Sequence, residues 1–172
     1  MEIWDIYDQN RMKTGATIER GSELGDNEYH LVVHVCLFNL DGKMLIQQRQ
    51  SFKEGWPNWW DVSAGGSALA GETSQEAAAR EILEEIGYKT NLSNQRPSFT
   101  VSFQTGFNDF YLIEDDVDIT QLVLQKEEVQ AVKWASKEEI LQMMDTQEFV
   151  PYHRGLIDIM FSMLHCGGAH RA

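Results

Sequence analysis

Residues 66–88 read GSALAGETSQEAAAREILEEIGY, and the prediction of the fold starts from this stretch. Thr73 and Glu76 have the spacing of a capping box, in which each side chain accepts a hydrogen bond from the backbone amide of the other residue. Alanines and aliphatic residues continue the helical pattern, and Gly87 is the residue type that follows a helix end in the left-handed conformation. The stretch therefore predicts a loop followed by a helix that ends at Ile86.

Three glutamates of this predicted helix share one face. Glu81, Glu84 and Glu85 stand at positions i, i+3 and i+4, and Arg80 can reach Glu84 one turn later. On an arbitrary helix, a solvated acidic face would be the expected interpretation. Here a glycine-containing loop precedes the helix and can bring backbone carbonyl oxygens beside the glutamates. An oxygen-only cluster suits Mg²⁺, and the lack of nearby His or Cys disfavours zinc.

The complete spacing is Gly66-x5-Glu72-x7-Arg80-Glu81-Ile82-x-Glu84-Glu85-x-Gly87-Tyr88. This pattern resembles the signature of the Nudix hydrolases, and Tyr88 is the one departure, at a position where the family prefers an aliphatic residue. The resemblance implies an α/β (α+β) Nudix fold, with a mixed β-sheet sandwiched between helices. It also implies a single domain over residues 1–172, in which the box at 66–88 forms a loop–helix–loop motif.

The resemblance also implies a set of metal ligands and catalytic residues. The expected ligands of Mg²⁺, with Mn²⁺ as an alternative ion, are the Gly65 carbonyl and the carboxylates of Glu81, Glu84 and Glu85. Arg80 and Glu72 are expected to orient these glutamates.

Family members usually add an acidic residue ahead of a later strand. Glu127 and Glu128 precede Val129, and Glu128 is the favoured candidate for both metal binding and catalysis. An exposed turn is the alternative interpretation of this pair. The general base is left open among Glu81, Glu85 and the Glu127–Glu128 pair.

The implied activity is hydrolysis of the diphosphate in a nucleoside diphosphate linked to another moiety. A protein with a formal charge of -13 repels such an anion, and bound Mg²⁺ would invert the local charge. Arg49 and Lys53 are candidates for binding a substrate phosphate, with a solvated surface as the alternative. Trp56, Trp59 and Trp60 either line a pocket or pack in the loop.

A second resemblance concerns the branch that includes isopentenyl-diphosphate isomerase. His30, Gln48-Arg49, Trp56-Pro57 and Trp60 are similar to that branch, which makes isomerase-like activity the alternative function. The catalytic Cys of the isomerase corresponds to Gly65 here, and one of its metal-binding His residues corresponds to Ser67. Hydrolysis is therefore preferred, and a non-catalytic Nudix module is the third hypothesis.

Composition limits the classes of partner and compartment. The chain has 27 acidic and 14 basic residues among 172, which disfavours binding to a nucleic-acid duplex. No apolar run is long enough for a membrane span, and no signal peptide is visible. Cys36 and Cys166 are far apart, so a reducing, cytoplasmic location is expected. A small-molecule diphosphate is the expected partner.

Other segments predict a sheet and two more helices. Asp41-Gly42 predicts a hairpin in which both turn residues have positive φ. A second capping box begins at Ser136, and an apolar stripe after Pro151 predicts a C-terminal helix that packs on its own sheet or on a second subunit in a homodimer. The expected strands cover residues 3–7, 31–38, 43–49, 59–63, 99–103, 107–113 and 129–134.

Overall fold

The computed structural model describes residues 2–166 and 168–170. The single-domain prediction over 1–172 also includes Met1, Gly167, Arg171 and Ala172, which lie outside the described residues. The strands are β1 (Ile3–Tyr7), β2 (Lys13–Glu19), β3 (His30–Phe38), β4 (Met44–Arg49), β5 (Trp60–Asp61), β6 (Ala64–Ser67), β7 (Phe99–Phe103), β8 (Gly106–Glu114) and β9 (Val129–Ala135). The α-helices are α1 (Ser74–Ile86), α2 (Lys137–Asp145) and α3 (Arg154–Met163).

The central sheet is mixed and divides into two halves. In one half, β3 pairs in parallel with β8 along its whole length and antiparallel with β6. In the other half, β4 pairs antiparallel with β9 and β5. The two halves meet at one backbone pair, Phe38 opposite Met44, beyond which β3 and β4 diverge. β5 and β6 lie beside the two diverging strands, and β1 and β2 form a separate hairpin.

A buried serine bridges the two diverging strands. The Ser63 hydroxyl accepts a hydrogen bond from the Leu37 amide of β3 and donates one to the Leu45 carbonyl of β4. Ser63 has no solvent exposure. Its side chain therefore satisfies two backbone groups that regular strand pairing would have satisfied in a continuous sheet.

Alternate residues of β3 build a core on each face of the sheet. Val33, Val35 and Leu37 lie in the core cluster that includes α1, whereas Cys36 and Phe38 lie in the cluster that includes α2 and α3. This follows from the twofold alternation of side chains along a strand. The prediction of a mixed sheet between helices is confirmed.

Helix α3 packs on its own sheet. Ile157 and Met160 of this helix are fully buried in the second core cluster, with Leu156 and Phe161 partly buried beside them. One of the two predicted roles of the apolar stripe is therefore observed within a single chain. The homodimer stays a prediction.

Two local predictions were wrong. In the hairpin loop only Gly42 has positive φ, because the turn spans residues 39–43 and the Asn39 carboxamide accepts hydrogen bonds from the amides of Asp41 and Lys43. Of the strand predicted over 59–63, only Trp60–Asp61 form a strand, β5, and β6 begins at Ala64, directly after the residue that bridges β3 and β4. β2 was missed because nearly all its residues are exposed and show no apolar alternation.

Among the described residues, no helix has both the length and the apolar character needed to cross a membrane.

We expect Ser63→Ala to lower the free energy of unfolding by about 1–3 kcal/mol, because it leaves the buried Leu37 amide and Leu45 carbonyl without partners. Ser102→Ala is the matched control, since Ser102 is exposed on β7 and should change stability by less than about 0.5 kcal/mol. Urea unfolding of both variants measures the difference. Equal stability of the two would contradict the bridging role of Ser63.

Candidate functional site

Helix α1 places the three glutamates at different depths. It begins after Thr73 with the predicted capping box and ends at Gly87, which has a φ of 73°. The Glu85 side chain points into the protein and is buried, the Glu81 side chain is 13% exposed, and the Glu84 side chain is 53% exposed. A uniformly solvated acidic face is therefore not what the fold produces.

Glu85 is buried between α1 and the sheet. Its Oε2 atom accepts hydrogen bonds from Gln47 Nε2 of β4 at 2.7 Å and from the Gly65 amide of β6 at 3.3 Å. Burial, together with the nearby charge of Glu81, raises the pKa of Glu85 to about 8. Among the described residues, no Lys or Arg forms an ion pair with this carboxyl group, which is held by the Gln47 and Gly65 donors alone.

The Glu81 carboxylate lies directly against Gly66. A Cβ atom at position 66 would be 2.7 Å from Glu81 Oε2, well inside van der Waals contact. Gly66 is therefore required for the close approach of this carboxylate to strand β6. Burial also raises the pKa of Glu81, and the Arg80 charge opposes that rise.

Arg80 connects the glutamates of the box. Its Nε and Nη2 atoms donate to the two carboxylate oxygens of Glu72 at 2.7 and 2.9 Å, a bidentate pair. Its Nη1 atom lies 2.8 Å from Glu81 Oε1 and 3.2 Å from Glu84 Oε2. Nη2 also donates to the Ser67 carbonyl. Glu72 thus fixes Arg80, and Arg80 orients Glu81 and Glu84.

A loop that binds the end of α1 carries Glu128 to the site. The Val123 and Gln125 amides donate to the Ile86 and Glu85 carbonyls, which are free at the C-terminus of the helix. Glu128 forms an ion pair with Lys53, whereas Glu127 is exposed.

Most of the predicted site residues line one cavity of about 200 Å³. Glu72 lies behind Arg80 and does not line it, and neither does Glu127. The predicted residues that line it are Arg49, Lys53, Gly65, Arg80, Glu81, Glu84, Glu85 and Glu128.

The two candidate phosphate-binding residues have partners within the protein. Arg49 Nε donates to the Gly55 carbonyl at 2.9 Å, and its Nη1 atom lies 3.5 Å from Asp61 Oδ2. Lys53 is paired with Glu128. Both cations lie at the same cavity as the carboxylates, so a substrate phosphate there would contact groups of both signs.

Comparison with known proteins agrees with this geometry. The profile of the NUDIX domain matches residues 28–156. A protein of Listeria monocytogenes described as an uncharacterized Nudix hydrolase is 51% identical over 152 residues, which are 88% of this chain and 90% of that protein. The chain belongs to the Nudix family. It is a hydrolase acting on pyrophosphate bonds, and Nudix hydrolases generally use divalent metal ions.

Two further comparisons bear on the branch and on the fold. An isopentenyl-diphosphate Δ-isomerase of Salmonella heidelberg is 30% identical over 96 residues, 55% of this chain and 53% of that protein. The crystal structure of a Deinococcus radiodurans protein has a TM-score of 0.75 at 23% identity, covering 91% of this chain and 98% of that one. The latter likeness shows the Nudix fold alone.

Of the residues that suggested the isomerase, Arg49 lines the cavity of this Nudix protein and His30 does not. His30 stacks on Trp4 with ring centroids 4.7 Å apart, and its Nδ1 atom is 2.9 Å from the Thr105 carbonyl. Cys36 is fully buried in the core, and burial raises the pKa of its thiol. Neither residue lines the cavity, so neither can act there.

Several residues in or beside the cavity were not anticipated. Gln47 is buried and donates a hydrogen bond to Glu85. The sequence could have indicated this role, because Gln47 is a polar residue that directly follows three apolar residues of β4. Gln125 lines the cavity from the loop before β9. Glu2 and Arg20 form an ion pair at the rim of the cavity. Glu2 directly precedes β1, and Arg20 directly follows β2. Nothing in their local sequence pointed to the site.

The donor set fits a hard divalent cation. As the side chains stand, no three His, Cys, Asp or Glu groups of the described residues converge closely enough to hold an ion, because Glu81 and Glu84 contact Arg80. The cavity nevertheless presents carboxylate oxygens from α1 and from the loop before β9. Oxygen donors in this number suit Mg²⁺ or Mn²⁺.

Glu85 should make the metal-free protein less stable as the pH rises. Its folded-state pKa lies above the ordinary glutamate value of 4.5, so the folded protein binds more protons than the unfolded chain between about pH 5 and 8. This contribution is present in full below the unfolded pKa and decreases by up to about 1.4 kcal/mol per pH unit as the pH rises towards the folded pKa. We expect Glu85→Gln to remove that decrease.

Urea unfolding between pH 5 and 8, in the presence of a chelator, measures this effect. Glu84→Gln is the control, because Glu84 is exposed and should leave the pH dependence of the wild type in place. Parallel curves for the wild type and Glu85→Gln would refute the raised pKa.

Proposed function

We propose that this Nudix protein is a Mg²⁺-dependent pyrophosphohydrolase that cleaves the diphosphate of a nucleoside diphosphate linked to another moiety. Mn²⁺ is the expected substitute ion. The observation that carries the proposal is one cavity whose wall carries five carboxylates and four cationic side chains. Such a cavity can hold both a divalent cation and a phosphate group.

The proposed metal ligands are the Gly65 carbonyl and the carboxylates of Glu81, Glu84, Glu85 and Glu128. Mg²⁺, when bound, would polarise a phosphoryl oxygen and offset the negative charge that develops on the diphosphate. Glu84 is the most exposed ligand of α1 and is the one free to turn from Arg80 towards the cavity.

The chain's own residues bind and orient the substrate. Arg49 can exchange its contacts with Gly55 and Asp61 for two oxygens of one phosphate, and Lys53 can contribute a point charge. Arg80 stays fixed by its bidentate pair with Glu72 and keeps Glu81 beside Gly66. Positioning of this kind supplies much of the catalysis in phosphoryl transfer.

Hydrolysis requires that water attack one phosphorus while the anhydride oxygen leaves with the other phosphate. Three of the carboxylates that line the cavity are the candidates to accept the proton from that water: Glu81, Glu85 and Glu128. Burial raises the pKa of Glu81 and raises that of Glu85 to about 8, which makes both carboxylates stronger proton acceptors. Separate substitution of each by Gln distinguishes them by the pH profile of turnover.

We propose further that the chain forms one Nudix domain over residues 1–172. Both core clusters share the central sheet, and α1 and α3 close its two faces.

Loss of one proposed ligand should abolish turnover without unfolding the protein. We expect Glu84→Gln and Glu128→Gln each to lower kcat by about 10²-fold or more in Mg²⁺, because each removes an anionic ligand or proton acceptor. Glu127→Gln is the matched control, since Glu127 is exposed and outside the cavity. Steady-state assays with thermal unfolding curves test this. Equal activity of the Glu127 and Glu128 variants would remove Glu128 from the site.

Gly66→Ala tests the position of Glu81. The added methyl group must displace the Glu81 carboxylate, so we expect kcat to fall by about tenfold or more while the fold persists. Gly155→Ala is the control, because a Cβ atom there meets nothing within 4 Å. Wild-type turnover in Gly66→Ala would show that the close contact is dispensable.

A panel of substrates identifies the linked moiety. It should contain nucleotide sugars, dinucleotides, coenzyme A and nucleoside di- and triphosphates, each assayed with Mg²⁺ and with Mn²⁺. Metal-dependent release of a monophosphate from at least one of them is the expected result. Failure of every phosphoanhydride to react would overturn the proposed hydrolysis.

A further inference from the structure

A second cavity adjoins the proposed catalytic one. It has a volume of about 340 Å³ and shares four residues with the first: Val32, Arg49, Gly65 and Gly66. A phosphate in the first cavity would therefore lie next to the second, and the two shared glycines, Gly65 and Gly66, place no side chain between them.

Several polar groups of this second cavity are already paired with one another. The Tyr152 hydroxyl and the Val62 amide both donate to Asp61 Oδ1 at 2.8 Å. His34 Nε2 lies 3.0 Å from Asn108 Oδ1. A polar ligand entering here would lose its hydrogen bonds to water and find few free partners.

Apolar side chains make up much of the rest of the cavity lining. Val32, Val62 and Val150 contribute aliphatic side chains, Pro151 contributes its ring, and His34 stacks face to face on Phe110 with centroids 4.5 Å apart. Burial lowers the pKa of His34, so its ring is neutral at pH 7. The Asp61 carboxylate would repel an anionic group.

Trp56 stands at this cavity with an unusual backbone conformation. It is 47% exposed and has a φ of 47°, in the left-handed region that bulky residues rarely occupy. The loop is held in this shape by the hydrogen bonds from the Trp59 amide to the Trp56 carbonyl and from Arg49 Nε to the Gly55 carbonyl. Strain of this kind, retained at a half-exposed aromatic residue, is typical of ligand-binding loops.

We infer that this cavity, lined by His34, Trp56, Val62, Asn108, Val150 and Tyr152, binds the moiety linked to the nucleoside diphosphate, and that this moiety is uncharged and largely apolar. The inference rests on the proposed function, because it assumes that the diphosphate occupies the adjoining cavity. Water then adds to one phosphorus and the anhydride P–O bond breaks. The products are a nucleoside monophosphate and the monophosphate ester of the apolar group.

Binding of product analogues tests the cavity independently of hydrolysis. Isothermal titration with hexyl phosphate and methyl phosphate, in Mg²⁺, compares two ligands that differ only in apolar chain length. We expect hexyl phosphate to bind roughly tenfold more tightly or better, because each methylene placed in an apolar pocket adds affinity. Equal affinities, or no binding of either ligand, would overturn the inference.

Trp56→Ala should lower that preference for the hexyl chain severalfold. Phe52→Ala is the matched control, because Phe52 lies in the same loop, is 67% exposed and does not line the cavity. Phe52→Ala should therefore keep the wild-type ratio of affinities. If Trp56→Ala weakens adenosine monophosphate and leaves hexyl phosphate unaffected, the cavity binds a nucleobase and the inference fails.

Hydrolysis of the hexyl and methyl esters of ADP separates the two proposals. Faster hydrolysis of the hexyl ester, judged by kcat/KM, supports both. Hydrolysis of both esters at the same rate supports the proposed function and overturns the inference about the cavity. A preference for hexyl phosphate in titration, with no hydrolysis of either ester, supports the cavity and overturns the proposed function.

Discussion

The site depends on holding several carboxylates together against their mutual repulsion. Glu81 and Glu85 are carried into the protein by α1, where low solvent access strengthens repulsion between like charges. Arg80 is the cation of the box that offsets it, and Glu72 holds Arg80 in place through two parallel hydrogen bonds. Glu85 is out of reach of Arg80 in this network and is stabilised by Gln47 and the Gly65 amide instead. A carboxyl group left in this state is suited to accept a cation or a proton.

The divergence of β3 and β4 provides the space for that chemistry. Had the two strands paired along their length, β5 and β6 could not lie between them, and Gly65 and Gly66 would not face α1. The Ser63 hydroxyl satisfies the backbone groups exposed by the divergence. The same arrangement places a polar cavity and a more apolar cavity on either side of β6, so that a diphosphate and the group attached to it can bind in continuity.

Prediction from sequence succeeded where the chemistry is local. The capping box at Thr73, the helix end at Gly87 and the strand over 31–38 follow from residue types within a short stretch, and each was observed. The reach of Arg80 to Glu84 likewise follows from helical spacing. The Asp41-Gly42 turn was predicted with the wrong dihedral angles, because the Asn39 side chain stabilises a longer loop.

The amino-acid sequence by itself determined the family, the helix that carries the glutamates and the residues proposed as oxygen donors, because these depend on residue type and short spacing. Only the tertiary structure decided which glutamate is buried, that Glu128 and not Glu127 adjoins the cavity, and that Gln47 and Trp56 belong near it. These outcomes depend on contacts between residues tens of positions apart. Burial and the approach of distant elements decide the protonation of the glutamates and the solvent access of the cavity. No short sequence pattern predicts either property.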